Sequence, residues 1–179
     1  GDGGTYSNRG VRVESSSQIK TGGGQLWITG VGGNGSADAN TGIKITDSTL
    51  DSRYSGGTGG AATLTGTAGE GTHDASGVYL DNSHVVTGGG SLGINGRSQG
   101  TQDSNMGIAI YNGSTLDSGY AGGVGGAITL VGYGGGGGSY GPNNNGVYLA
   151  SNSLANGDTV VSSAGGAITV TGYGGSGTS

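Results

Sequence analysis

Aliphatic residues in this chain fall in short alternating pairs at a recurring distance from glycine. A leading glycine opens aliphatic-x-aliphatic in Gly10-Val11-Arg12-Val13, Gly42-Ile43-Lys44-Ile45, Gly77-Val78-Tyr79-Leu80, Gly107-Ile108-Ala109-Ile110 and Gly146-Val147-Tyr148-Leu149. A second pair follows in each copy, at Leu26/Ile28, Ala62/Leu64, Leu92/Ile94, Ile128/Leu130 and Ile168/Val170, each closed by glycine two residues on. Alternation with period two predicts strands with one buried face. Between the two strands stands one further aliphatic residue, Ile19, Leu50, Val85, Leu116 or Leu154, which predicts a third inward-facing side.

The repeats run over 10–41, 42–76, 77–106, 107–145 and 146–179, and 1–9 reads as the end of a preceding repeat. Three strands of this length cannot form a sheet within one copy, so their apolar sides are buried only by stacking on the same strand of the next copy. The expected fold is all-β: a parallel β-helix, or β-solenoid, of about five rungs with three short strands each and glycine-rich loops at one corner. Parallel crossovers are nearly always right-handed, so this β-helix is expected to be right-handed too. After the first strand each copy carries a small polar residue, Ser15, Asp47, Asn82, Asn112 or Ser151. Such residues satisfy turn backbone groups, and in register they predict a polar ladder along one edge. Copies two and four also share Thr-Leu-Asp-Ser-x-Tyr at 49–54 and 115–120, while copies three and five share Gly-Val-Tyr-Leu, which suggests a two-rung superrepeat.

Composition narrows the class. Forty-eight glycines with a single proline and no three-residue period exclude collagen. The absence of cysteine excludes disulfides and thiolate metal sites. A net charge of −5 without clustered Lys and Arg argues against nucleic acid as a partner. No apolar run approaches the ~20 residues of a membrane-crossing helix, so membrane insertion is not expected. The chain opens on Gly1, and its two ends would join into one ordinary repeat, so it is expected to be a piece of a longer array or a subunit that associates end to end.

Candidate chemistry is sparse. Asp51 and Asp117 occupy equivalent positions, with Arg53 beside the first, but two rungs put them about 10 Å apart, too far for a tight catalytic pair. No enzymatic activity is expected. His73 and His84 have no second histidine at metal-ligand spacing. No cofactor is expected beyond loop-bound calcium, for which Asp38, Glu70, Asp74 and Asp103 are the candidate oxygen donors. Thr63/Thr65 and Thr169/Thr171 form outward Thr-x-Thr pairs of the kind ice-binding solenoids repeat, interrupted by Trp27/Thr29, Gly93/Asn95 and Thr129/Val131. Tyr79, Tyr148, Tyr133 and Tyr173 are the candidate surface contacts, able to stack on sugar rings or to pack against a neighbouring fibre.

The motif Thr-Gly-Gly-Gly-x-Leu-x-Ile-x-Gly at 21–30 and 87–96, with Gly-[Val/Ile]-x-[Leu/Ile] recurring, resembles the repeats of filamentous-haemagglutinin-like and autotransporter-type β-helical adhesins. The resemblance implies a secreted, extracellular protein: a stiff rod or fibre at the bacterial cell surface, non-enzymatic and adhesive. Its implied partners are further rungs of its own kind, glycans, or host and cell surfaces. A carbohydrate-binding or ice-binding module is the alternative reading.

Overall fold

The computed structural model describes residues 8–35, 39–71, 73–136, 143–151 and 157–175. It is a parallel β-solenoid of fifteen strands, with no helix among the described residues. Each rung gives one strand to each of three five-stranded sheets. The first sheet stacks β1 (Val11–Val13), β4 (Ile43–Thr46), β7 (Val78–Asp81), β10 (Ile108–Tyr111) and β13 (Val147–Ala150). The second stacks β2 (Gln18–Lys20), β5 (Thr49–Asp51), β8 (His84–Val86), β11 (Thr115–Asp117) and β14 (Val160–Ser162). The third stacks the longer β3 (Leu26–Val31), β6 (Ala62–Thr67), β9 (Leu92–Arg97), β12 (Ile128–Tyr133) and β15 (Ile168–Tyr173).

Register follows the alternating aliphatics. Ile108 pairs with Val78 and Val147, Leu116 with Val85, and Leu130 with Ile94 and Val170. The interior is therefore a set of aliphatic columns, and Ile43, Ile45, Leu50, Leu64, Val78, Leu80, Val85, Leu92, Ile94, Ile108, Ile110, Leu116, Ile128 and Leu130 are buried. Val13 and Leu26 are also buried, and Val11, Ile28 and Val147 pack partly against the core.

The fifth rung departs from the expected core. Leu149, Ile168 and Val170, read as core, are 41%, 46% and 51% exposed, because among the described residues nothing stacks on their far side. In the second sheet Val161 pairs with Leu116, while Leu154, expected as the third inward residue, lies outside the described residues. Counting from the leading glycine assumes a corner of constant length. Val161 stands fifteen residues after Gly146, and the strand sets its register by pairing with β11 rather than by that count.

Glycine is required where two walls of the solenoid meet. A Cβ on Gly96, at the end of β9, would collide with the carbonyl oxygen of Gly107, which opens the next rung, and Gly66 meets Gly77 in the same way. The third sheet closes directly onto the first at this junction, and the backbones approach too closely for any side chain.

Polar ladders finish the corners. Ser15, Asp47, Asn82 and Asn112 all adopt left-handed φ, a conformation for which Asn and Asp are among the better-tolerated non-glycine residues. Asn82 Nδ2 donates to Asp47 Oδ1 at 2.7 Å, whereas Asn112 steps aside and donates to Asp81 Oδ1 at 2.8 Å. Ser151 differs: its hydroxyl accepts the amide of Thr159 at 2.7 Å and closes the longer corner. Just behind this edge, Ser83 N donates to Ser114 Oγ at 3.1 Å in a buried serine column.

Candidate functional site

The outward faces of the first and third sheets hold the candidate contacts, and the two faces are built differently. On the third sheet, pairing aligns Thr67, Arg97, Tyr133 and Tyr173 in one column. Tyr133 and Tyr173 stack face to face, 4.7 Å between centroids and 7° between planes. One face of each ring is thus spent on the other, and a sugar could not slide between them. The Thr-x-Thr positions lie on this same sheet, but Trp27 projects at 75% exposure and Arg97 and the tyrosines also stand out from it. A face broken by such side chains is not the flat threonine array that matching an ice lattice requires.

On the first sheet the outward column reads Arg12, Lys44, Tyr79, Ala109 and Tyr148. The small Ala109 leaves a gap in this column, and Tyr111, two residues along the same strand, leans over it. Tyr111 lies 5.4 Å from both the Tyr79 and the Tyr148 ring centroids, tilted by 39° and 54°, and Ala109 is wholly buried as a result. Lys44 Nζ sits 4.9 Å above the Tyr79 ring centroid, close enough for a cation–π contact. Neither Tyr111 nor Lys44 stands at a position that the repeat pattern marks as a contact.

Loop segments fold back over this column. Ala39, Asp74 and Ser104 each have left-handed φ three residues before a leading glycine, and so turn the loops onto the first sheet at the same place in successive rungs. An asparagine ladder one residue further on holds them. Ala75 N and Asn105 N donate to Asn105 Oδ1 and Asn144 Oδ1 of the next rungs, both at 3.0 Å, while Asn40 Nδ2 reaches Glu70 O at 2.6 Å. The product is a hollow of about 260 Å³ between loops and sheet, its lining including Tyr79, Tyr111, Met106, Lys44, Asp74 and Thr41.

Burial sets the electrostatics of this hollow. It pushes the Tyr111 phenol up to about 12 and the Tyr79 phenol further still, with Asp81 adding to the latter. Burial also pulls the Lys44 ammonium below its ordinary value, Arg9 and Arg12 lowering it further while Asp81 and Glu14 oppose them. Several donors here have weak partners. Tyr111 Oη donates to Met106 Sδ at 3.4 Å, and Tyr79 Oη to Asp81 Oδ2 at 3.4 Å.

Asp51 and Asp117 are engaged locally. Asp51 and Asp117 lie in one column with Val86 between them. Both oxygens of Asp51 are held by Arg53, through Nε at 2.9 Å and Nη2 at 2.7 Å, and these hydrogen bonds hold its carboxyl below the usual range. Asp117 Oδ1 accepts the Gly119 amide at 2.7 Å. Of the calcium candidates, Asp38 lies outside the described residues, Asp103 pairs with His73, and Asp74 lines the hollow. Glu70 contributes its backbone carbonyl to the asparagine ladder. Among the described residues no three His, Cys, Asp or Glu side chains gather as a metal site would need. His84 is exposed beside a polar corner groove of about 440 Å³ lined largely by serines, Asp47 and Asn82.

Comparison with known proteins finds no match among family models, curated proteins or solved structures.

Proposed function

We propose that the chain is a non-enzymatic structural segment of a stiff extracellular rod or fibre, adhesive through the loops it displays, at a bacterial cell surface. The observation that supports this is continuity: three parallel sheets run through all five rungs in one register. Stretching such a rod along its axis loads every inter-rung hydrogen bond of three sheets together, while the loops at one corner vary without disturbing the ladders. The engagement of Asp51 by Arg53 argues in the same direction, since a carboxylate held ionised makes a poor general acid. The extracellular, bacterial placement rests on the resemblance of the glycine-rich motifs at 21–30 and 87–96 to surface-adhesin repeats.

The partner this reading implies is a further rung of the same cross-section, from a second copy or from the same chain, over Leu149, Ile168 and Val170. Electron cryomicroscopy of the natively produced material is the test. Rods with an axial spacing of about 4.8 Å, displayed outside the cell, are expected. Compact particles confined to the cytoplasm would overturn the proposal.

A further inference from the structure

We propose that the outward face of the third sheet is an interface between two copies of this chain, packed side by side with their solenoid axes parallel. This inference does not depend on the rod reading, because it concerns the flank of the solenoid and not its ends.

Charge sets this flank apart. Of the eleven Asp and Glu and the six Lys and Arg, only Arg97 belongs to a strand of the third sheet. The outward positions of the same sheet hold four exposed large side chains, Trp27, Val31, Tyr133 and Tyr173. A chain of net charge −5 therefore meets its own kind with least repulsion here. With strands of six residues in five rungs, the face measures about 20 Å by 24 Å, so two of them bury on the order of 1,000 Å², the lower edge of specific interfaces.

Side-chain size fixes the orientation. Strand pairing lines up Trp27, Thr63, Gly93, Thr129 and Thr169 along one edge of the face, and Val31, Thr67, Arg97, Tyr133 and Tyr173 along the other. A two-fold axis parallel to the solenoid, over the middle column that contains Asn95, lays each edge of one copy on the opposite edge of the second, rung for rung. Gly93 then faces Arg97, Thr129 faces Tyr133 and Thr169 faces Tyr173, while Trp27, the one long side chain of its column, faces Val31. Each long side chain meets a shorter one, as sheets packed about 10 Å apart require. Antiparallel solenoids would instead set the tyrosine edge against itself. In the parallel pair the two Arg97 side chains stand on opposite rims, at least about 13 Å apart along the strands.

Gly93 supplies an independent observation. A Cβ there meets nothing nearer than Thr63 Oγ1 at 3.9 Å, and its φ is not left-handed, so the fold of one chain does not require glycine at this position as it does at Gly96. An arginine facing it from a second copy does.

Sedimentation equilibrium from about 10 µM to 1 mM tests the pairing, in the chain itself and in Val170→Asp, whose charge at the open end blocks axial stacking. A monomer–dimer equilibrium is expected to persist in Val170→Asp. Asn95 is exposed, and Asn95→Glu brings two carboxylates together on the axis, which should weaken the dimer at least about tenfold. Gln18→Glu, at an exposed position of the second sheet, should leave it unchanged. Gly93→Glu, facing Arg97, should tighten the dimer severalfold, whereas Gly93→Arg should weaken it at least about tenfold. Circular dichroism of each variant verifies the fold. Monomers across the whole range in both backgrounds overturn the interface. Undiminished pairing in Asn95→Glu, or equal weakening by Gln18→Glu, overturns its place on the third sheet. Equal effects of Gly93→Glu and Gly93→Arg overturn the parallel orientation.

Discussion

Rungs four and five are close in sequence and far apart in burial. Ile128-Thr129-Leu130 pairs residue for residue with Ile168-Thr169-Val170, yet Ile128 and Leu130 are wholly buried while Ile168 and Val170 are about half exposed. In the first sheet Ile110 is buried and its partner Leu149 is not. Both rungs carry the same inward pattern. What differs is that, among the described residues, rung four has a neighbour on each side and rung five on one. Burial in this architecture is conferred by stacking, so a residue's energetic weight depends on its rung more than on its local sequence.

The sharpest way to break this comparison is a charge in each rung. Ile110→Asp buries a carboxylate with no partner between two aliphatic columns, and a loss of about 4 kcal/mol or more is expected. Val170→Asp, in this chain taken alone as a monomer, can turn its charge to water, at a cost of about 1 kcal/mol or less. Urea denaturation of the two variants measures the difference. Equal losses would show that rung five is buried in solution as deeply as rung four.

Backbone crowding gives the next effect. Gly96→Ala drives a methyl group into the Gly107 carbonyl, whereas the nearest atom to a Cβ on Gly172, the equivalent position in rung five, is Val147 N at 3.2 Å. About 3 kcal/mol is expected at Gly96 and within about 0.5 kcal/mol at Gly172. Thermal melts check both, and a tolerated Gly96→Ala would mean that the junction of the third and first sheets is looser than described.

A smaller loss tests the loops. Asn105 is buried, and its Oδ1 accepts the Ala75 amide. Asn105→Ala strands that amide, which should cost about 1–3 kcal/mol, and should raise amide-exchange rates in the segments around 73–77 and 98–107 before those in β15. In rung two the equivalent position is already Ala75, whose carbonyl accepts Ser98 Oγ at 2.5 Å. That substitution supplies an internal control: adding Ser98→Ala should not sum independently with Asn105→Ala, because both hold the same turn.

These ladders also mark how far the sequence could be read. The strands were legible because period-two alternation and stacking admit one arrangement, and even the alternation of rung types shows, since Tyr54 and Tyr120 each fold over a glycine, Gly23 and Gly89, of the preceding rung. The asparagine column was present as Asn-x-Gly at 8–10, 40–42, 105–107 and 144–146. It escaped notice because buried amides are needed only once the loops fold back, a tertiary fact that local propensity does not carry. Tyr111 was hidden for a related reason. Its role depends on Ala109 being small, and that gap exists only between stacked rungs. Val161 was not legible as the partner of Leu116 because corners vary in length along the chain, while pairing fixes the strand.

The smallest effect concerns protons, and it asks whether stacking also buries the outward side of rung four. The Tyr111 phenol is pushed up to about 12, against an ordinary value of about 10. An acid whose pKa is raised by folding holds its proton more tightly in the native state. Its contribution is therefore complete below pH 10 and is lost as pH rises from there through about 12. Alkaline difference absorbance should show a late phase that Tyr111→Phe reduces, together with a shallower loss of stability in that window. Lys44, whose pKa is lowered, acts with the opposite sign, since deprotonation relieves its desolvated charge as pH rises. Repeating the titration in Lys44→Gln therefore isolates the phenol. If Tyr111 titrates with the bulk of the tyrosines in both backgrounds, its ring is open to water, and the contrast between the rungs stops at the aliphatic interior.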